Sequence, residues 1–150
     1  HVLAIDSHRI TAVEVNGKNI LGVYFALRKK KETLFNYLLK DSDGLIGRDT
    51  LVLGDFNTGL INDDSRRKGF YCMSHLERLE EVGLFDLWRK RNPYKNEYSW
   101  FSNAGNGFRI DQVYETQSID SRVTAVYYSH NERENKISDH SVLLLNLSRD

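Results

Sequence analysis

Thr50-Leu51-Val52-Leu53-Gly54-Asp55-Phe56-Asn57 runs a short apolar strand straight into a carboxylate and an amide. An apolar run of this kind reads as a buried strand, and a core accepts a carboxylate only with compensation. Two further islands repeat the arrangement, Gly107-Phe108-Arg109-Ile110-Asp111 and Ile137-Ser138-Asp139-His140-Ser141. Together they read as one active site.

Outward from this strand, Lys30 to Lys40 places Leu34, Tyr37 and Leu38 at helical spacing, and Asp41-Ser42-Asp43-Gly44 ends the helix. A strand entered from a helix predicts a crossover connection inside a layered α/β sandwich. Asp55 to Asn57 then sits at the C-terminal end of its strand, where α/β sheets present ligand-binding groups. Upstream, Ile10 to Val15 and Ile20 to Phe25 flank Asn16-Gly17, a strong hairpin signal. Downstream, Phe70 to Val82 carries Met73, Leu76 and Leu79 on one side of an amphipathic helix capped by Gly83. Tyr98 to Phe101 and Phe108 to Tyr114 read as a second hairpin about Asn103 to Gly107, and Val123 to Tyr128 and Val142 to Leu147 complete the strands.

Lys+Arg and Asp+Glu both total 21 in 150 residues, so no global field selects a nucleic-acid or membrane partner and any basic surface must be local. The single cysteine, Cys72, cannot form an intrachain disulfide, which fits a reducing, cytoplasmic setting. No apolar run approaches the ~20 residues that span a bilayer, so no membrane role is expected. The chain opens on the apolar run His1-Val2-Leu3-Ala4-Ile5 without an initiator Met, which reads as a start within a domain.

Asp55 and Asn57 leave the same face of an extended backbone, where the carboxylate can take a proton from water and the amide can donate to a phosphate oxygen. The plainer alternative is an Asx turn capping the strand. Asp139 and His140 are adjacent, so their side chains point apart and another carboxylate must orient the imidazole; Asp111 is the candidate. Ser-Asp-His alone also fits a surface turn.

In order and separation, Leu-Gly-Asp-Phe-Asn, Phe-Arg-Ile-Asp and Ser-Asp-His resemble the endonuclease/exonuclease/phosphatase superfamily, most closely its exonuclease III type. Tyr98-Ser99-Trp100 and Gly83-Leu84-Phe85-Asp86-Leu87-Trp88 extend the likeness from about position 20 onward. The resemblance implies part of a four-layer, DNase I-like α/β sandwich with a metal-dependent phosphodiesterase site. It gives Asp55 the attacking water, Asn57 the scissile phosphate and His140 the charge developing there. Asp111 would orient His140, Asp139 would serve near Mg²⁺ or Mn²⁺, and Tyr24 would contact the phosphate or leaving group, or else be a core aromatic. Trp100, Phe108 and Ile110 resemble the wall that encloses a flipped-out abasic sugar, and fit a core equally well.

The family's first strand bears an Asn and leads to a Glu that is its principal metal ligand. Neither is expected in this chain, so a weak metal site, a piece inactive by itself and self-association through an uncovered face are expected. Ala26 stands where the family usually has proline. The runs Arg28-Lys29-Lys30-Lys31 and Arg66-Arg67-Lys68 fall near one rim, as a nucleic-acid backbone or a solvated face would require. DNA is the favoured partner, with Arg66 and Arg67 as substrate contacts. Hydrolysis of small or lipid phosphoesters, or non-catalytic nucleic-acid binding, are the alternatives.

Overall fold

The computed structural model describes residues 8–41, 43–60, 64 and 70–148. Ile10–Val15 (β1) and Lys18–Tyr24 (β2) form the expected hairpin. Its turn places Asn16 and Gly17 at φ of 50° and 73°, the left-handed geometry a two-residue hairpin loop requires. A 3-10 turn over Arg28–Lys31 leads into Glu32–Lys40 (α1), a start two residues later than the periodicity predicts. Its face of Leu34, Phe35, Tyr37 and Leu38 is buried. The chain returns in Thr50–Asp55 (β3), parallel to β2, so the crossover is present.

Met73–Glu81 (α2) is shorter than the predicted 70–82 because Cys72, at φ 64°, breaks the helical geometry at its entrance. Leu84–Asp86 (β4) runs directly into Leu87–Arg91 (α3). Asp86 caps that helix, its carboxylate accepting from the Arg89 N–H at 3.0 Å.

Trp100–Phe101 (β5) pairs with Gly107–Phe108 (β6), and Asp111–Thr116 (β7) joins the central sheet, whose order is β1-β2-β3-β7-β4. Val123–Ser129 (β8) and Val142–Leu147 (β9), separated by the short helix Asn131–Glu134 (α4), form a second antiparallel sheet. On one face of the central sheet, Leu21, Val23, Val52 and Tyr114 pack against α1 and α2. On the other, Leu51 and Val113 meet Leu87 and Trp88 of α3 and Val126 and Tyr128 of β8. Helices, central sheet and outer sheet thus make three layers of an α/β sandwich. Tyr127, Val142 and Leu144 point outward from the last layer and are exposed. Among the described residues, no helix is long and apolar enough to cross a membrane.

The continuous strand expected over Phe108 to Tyr114 is instead broken at Arg109 and Ile110. The cause is electrostatic. Arg109 is 1% exposed, and burial of a guanidinium is tolerated only with full pairing. Its Nε donates to Asp64, and its two terminal nitrogens donate to the two carboxylate oxygens of Asp86. The Arg109 N–H donates to the Asp64 carbonyl at 2.9 Å, while the Ile110 carbonyl accepts from Phe56 at 2.8 Å. The guanidinium also lies over the Trp88 ring, 5.1 Å from its centroid. Satisfying these partners turns the chain out of the β5–β6 pair and into the central sheet. Arg109 and Ile110 are therefore both buried, rather than alternating between faces.

Arg109→Met removes the cation and leaves two buried carboxylates uncompensated. It should lower the unfolding free energy by about 3–5 kcal/mol in urea titration, and a change below about 1 kcal/mol would contradict this account of the break.

Candidate active site

Strand register brings the site together. In the parallel β2–β3 pair Tyr24 lies beside Asp55, and in the antiparallel β3–β7 pair Asp55 lies opposite Asp111. Gly54, at φ 144°, permits the close approach: a Cβ there would fall 2.0 Å from the Val23 carbonyl oxygen. Three polar side chains therefore end at one edge of the sheet.

The fourth, His140, arrives on the segment between α4 and β9. Trp100 and His140 form an isolated antiparallel bridge, and the Ser141 N–H donates to the Ser99 carbonyl at 2.8 Å. His140 Nδ1 then donates to Asp111 Oδ2 at 2.8 Å. The structure therefore places Asp111 where the sequence argument asks for an orienting carboxylate. Ser99, fully buried, fixes Asp111 from behind, its Oγ accepting from the Ile110 and Asp111 N–H groups at 3.1 Å each. The Trp100 indole N–H donates to Asp139 Oδ2 at 3.2 Å, and the Asp139 carboxylate adds to the field acting on His140.

Asp55 and Asn57 meet differently from the expectation. Asn57 is not extended but left-handed, at φ 49°. Asp55 Oδ1 accepts from the Asn57 N–H at 2.8 Å, an Asx turn, and Oδ2 accepts from Asn57 Nδ2 at 3.0 Å. The same Nδ2 donates to the Phe25 carbonyl at 2.9 Å. Both amide hydrogens are thus spent within the protein, so Asn57 aims the Asp55 carboxylate rather than offering a free donor to a phosphate. Lys31 completes the loop, its ammonium donating to the Asn57 carbonyl.

Burial pushes the Asp55 carboxyl up to about 6, helped by repulsion from Asp111 and opposed by the Asn57 N–H and by His140. The hydrogen bond to Asp111 holds the His140 imidazolium above its ordinary range, against a smaller desolvation penalty. Burial draws the Lys31 ammonium down to about 8, opposed by Cys72 and Asp55.

Asp55, Asn57, Lys31 and His140 line a cleft of about 510 Å³, together with Tyr24, Trp100, Phe108 and Ile110. Tyr24 is 53% exposed, which excludes the core-aromatic reading. Trp100 and Phe108 are 5.6 Å apart between centroids, and Phe70 continues the wall edge-on at 5.4 Å from Phe108. Phe70, Tyr71 and Leu27 are cleft residues the sequence reading did not single out, while Arg28 and Lys31 of the basic run line the same cleft. The first three carry no motif of their own. Arg66 and Arg67 lie outside the described residues.

Among the described residues no three His, Cys, Asp or Glu side chains gather as a set able to hold a metal ion. Asp139 is exposed, and the carboxylates of Asp55 and Asp111 are taken up by Asn57 and His140. The described residues therefore do not by themselves fit Mg²⁺ or Mn²⁺, which favour near-octahedral oxygen ligation.

No family model matches the chain. Solved structures that share its fold include the following three. The 3′ phosphatase NExo from Neisseria, bound to a product DNA hairpin, is 22% identical with a TM-score of 0.81 over 94% of this chain and 65% of its own. An AP endonuclease from Archaeoglobus fulgidus is 22% identical, TM-score 0.78, over 96% and 66%. The 3′–5′ exonuclease NExo from Neisseria meningitidis is 23% identical, TM-score 0.81, over 94% and 65%. The chain thus has a DNase I-like α/β sandwich fold and spans about two thirds of the length of these three.

Because Asp111 raises the folded-state pKa of His140 above its ordinary 6.5, the resulting stabilisation is complete below that value and is lost as pH rises through the folded pKa. Asp111→Asn should therefore destabilise the protein more at pH 6 than at pH 9 in urea unfolding, whereas equal losses at both would show that the pair carries no such linkage.

Proposed function

We propose that this chain carries the phosphoryl-transfer site of a phosphodiesterase acting on nucleic acid, with DNA favoured. The supporting observation is the His140–Asp111 hydrogen bond set beside an elevated Asp55 carboxyl on a single cleft. A phosphodiester needs an in-line nucleophile, positive or donor groups on its non-bridging oxygens, and help for the departing oxygen. Asp55 receives a proton from water as the water oxygen bonds to phosphorus and the bond to the leaving oxygen breaks. Charged His140 offsets the negative charge gathering on the phosphoryl group, with Asp111 fixing its ring. Asn57 holds the Asp55 carboxylate by two hydrogen bonds. The Tyr24 phenol stands at the strand end beside Asp55, where the phosphate or leaving group is within its reach. Trp100, Phe108 and Ile110 supply an apolar wall for the sugar or base next to the phosphate.

Asp139 is the described side chain with which a divalent ion would be associated. Among the described residues no set of three ligands accompanies it.

The reading is tested by assaying this chain, and a version extended upstream of His1, on DNA duplexes bearing an abasic site or a 3′-phosphate, with and without added Mg²⁺. The extended chain should cleave and the 150-residue chain should not; no cleavage by either would overturn the phosphodiesterase assignment. In the active form, Asp55→Asn and His140→Asn should each lower kcat by roughly 10²–10⁴-fold.

The pH dependence follows from the two shifts. Asp55 must be ionised, so activity rises through about pH 6; His140 must be protonated, so activity falls once pH passes its raised pKa. A bell-shaped profile of kcat/KM is expected, with its acidic limb absent in Asp55→Asn. An unchanged acidic limb in that variant would remove Asp55 from the base role.

A further inference from the structure

The basic run Arg28-Lys29-Lys30-Lys31 does not behave as a unit. Lys29 and Lys30 are exposed, whereas Lys31 is 2% exposed and turns inward to the cleft. A lysine gives up a large hydration energy on burial and is rarely placed so without a use for its charge. Its single hydrogen bond among the described residues goes to the Asn57 carbonyl, 26 positions away. An ammonium has three donors, so two remain after that bond. The carbonyl it holds belongs to the residue that aims Asp55.

The Asn57 side chain does not supply the phosphate donor that the sequence suggests. The Asn57 amide hydrogens are both engaged by protein acceptors. Among the described residues lining the cleft, Asp55 carries the one carboxylate, set against Arg28, Lys31 and His140. The balance of these four favours an anion. Lys31 is the buried one, and a cation shielded from water acts on an anion at a lower effective dielectric than one on the rim.

We propose that Lys31 is a phosphate-binding residue of this site, its ammonium bridging the Asn57 carbonyl and a non-bridging oxygen of the bound phosphoryl group. This deepens the phosphodiesterase reading and rests on it. Lys31 occupies the place the sequence gives to the Asn57 amide: the amide is committed to the Asp55 carboxylate, and the neighbouring main chain anchors a cation instead. Anchoring fixes the direction of the charge, which a flexible surface lysine would lack.

The test measures binding rather than turnover. Inorganic phosphate is titrated into the 150-residue chain in EDTA, followed by calorimetry and by the lysine ¹⁵Nζ signals in NMR. Phosphate should shift the Lys31 ¹⁵Nζ resonance. Lys31→Met, which keeps the length of the side chain without its charge, should weaken phosphate binding at least tenfold, with unchanged circular dichroism. An unshifted Lys31 resonance at saturation, or a Lys31→Met protein that binds phosphate as tightly as the parent, would overturn the proposal. His140→Asn separates the two levels of the argument. If it weakens phosphate binding while Lys31→Met does not, the role of Lys31 fails and the site stands. If neither variant changes binding, phosphate is not held in this cleft and both readings fail.

Discussion

A buried arginine shapes this site without touching the cleft. Arg109 brings its guanidinium into the interior between Asp64 and Asp86, and the chain must break its strand to deliver it there. Breaking at Arg109 and Ile110 ends the β5–β6 pair and starts β7 at Asp111, in register with Asp55. Every polar group at the bend has a partner: the Arg109 N–H on Asp64, the Ile110 carbonyl on Phe56, and the next two N–H groups on Ser99. A bend satisfied on all sides has one geometry, so the Asp111 carboxylate has one direction. The ion pairs contribute less as net attraction than as a constraint, because desolvation offsets much of their Coulomb energy.

The geometry of the cleft then depends on how three independent segments share the Asp111 end of the sheet. β3 delivers Asp55, the Ser99–Trp100 segment ties down both the Asp111 backbone and the Ser141 backbone, and the Trp100 indole binds the Asp139 carboxylate. The result pairs an acid whose proton is held too tightly for its type with an imidazole whose charge is held beyond its ordinary range. Both shifts run upward, and each is set by its surroundings: burial for Asp55, the Asp111 hydrogen bond for His140.

Much of this was legible in the residues because it depends on local rules. The Asn16-Gly17 hairpin, the crossover into β3 and the apolar faces of α1 and α2 follow from turn chemistry and periodicity. The partnership of Asp111 with His140 followed from excluding Asp139, since adjacent residues cannot both face the same way in an extended segment. What escaped was set by tertiary pairing. Nothing local says that Arg109 will find Asp64 and Asp86, although Asp86 ahead of Leu87-Trp88-Arg89 does carry a helix-cap signal. Nothing local says that Asn57 will adopt a left-handed backbone and spend its amide on Asp55 and Phe25. Four consecutive basic residues read as one solvated face until the 3-10 turn directs the last of them inward.

If Asp55, His140 and the Asn57 loop surround a site for a phosphoryl group, a crystal of the chain soaked with thymidine 5′-monophosphate should hold the nucleotide there. Its phosphoryl group should lie within hydrogen-bonding distance of His140, with the nucleoside against Trp100 and Phe108. A nucleotide well ordered elsewhere on the surface, with this cleft filled only by water, would rule the site out.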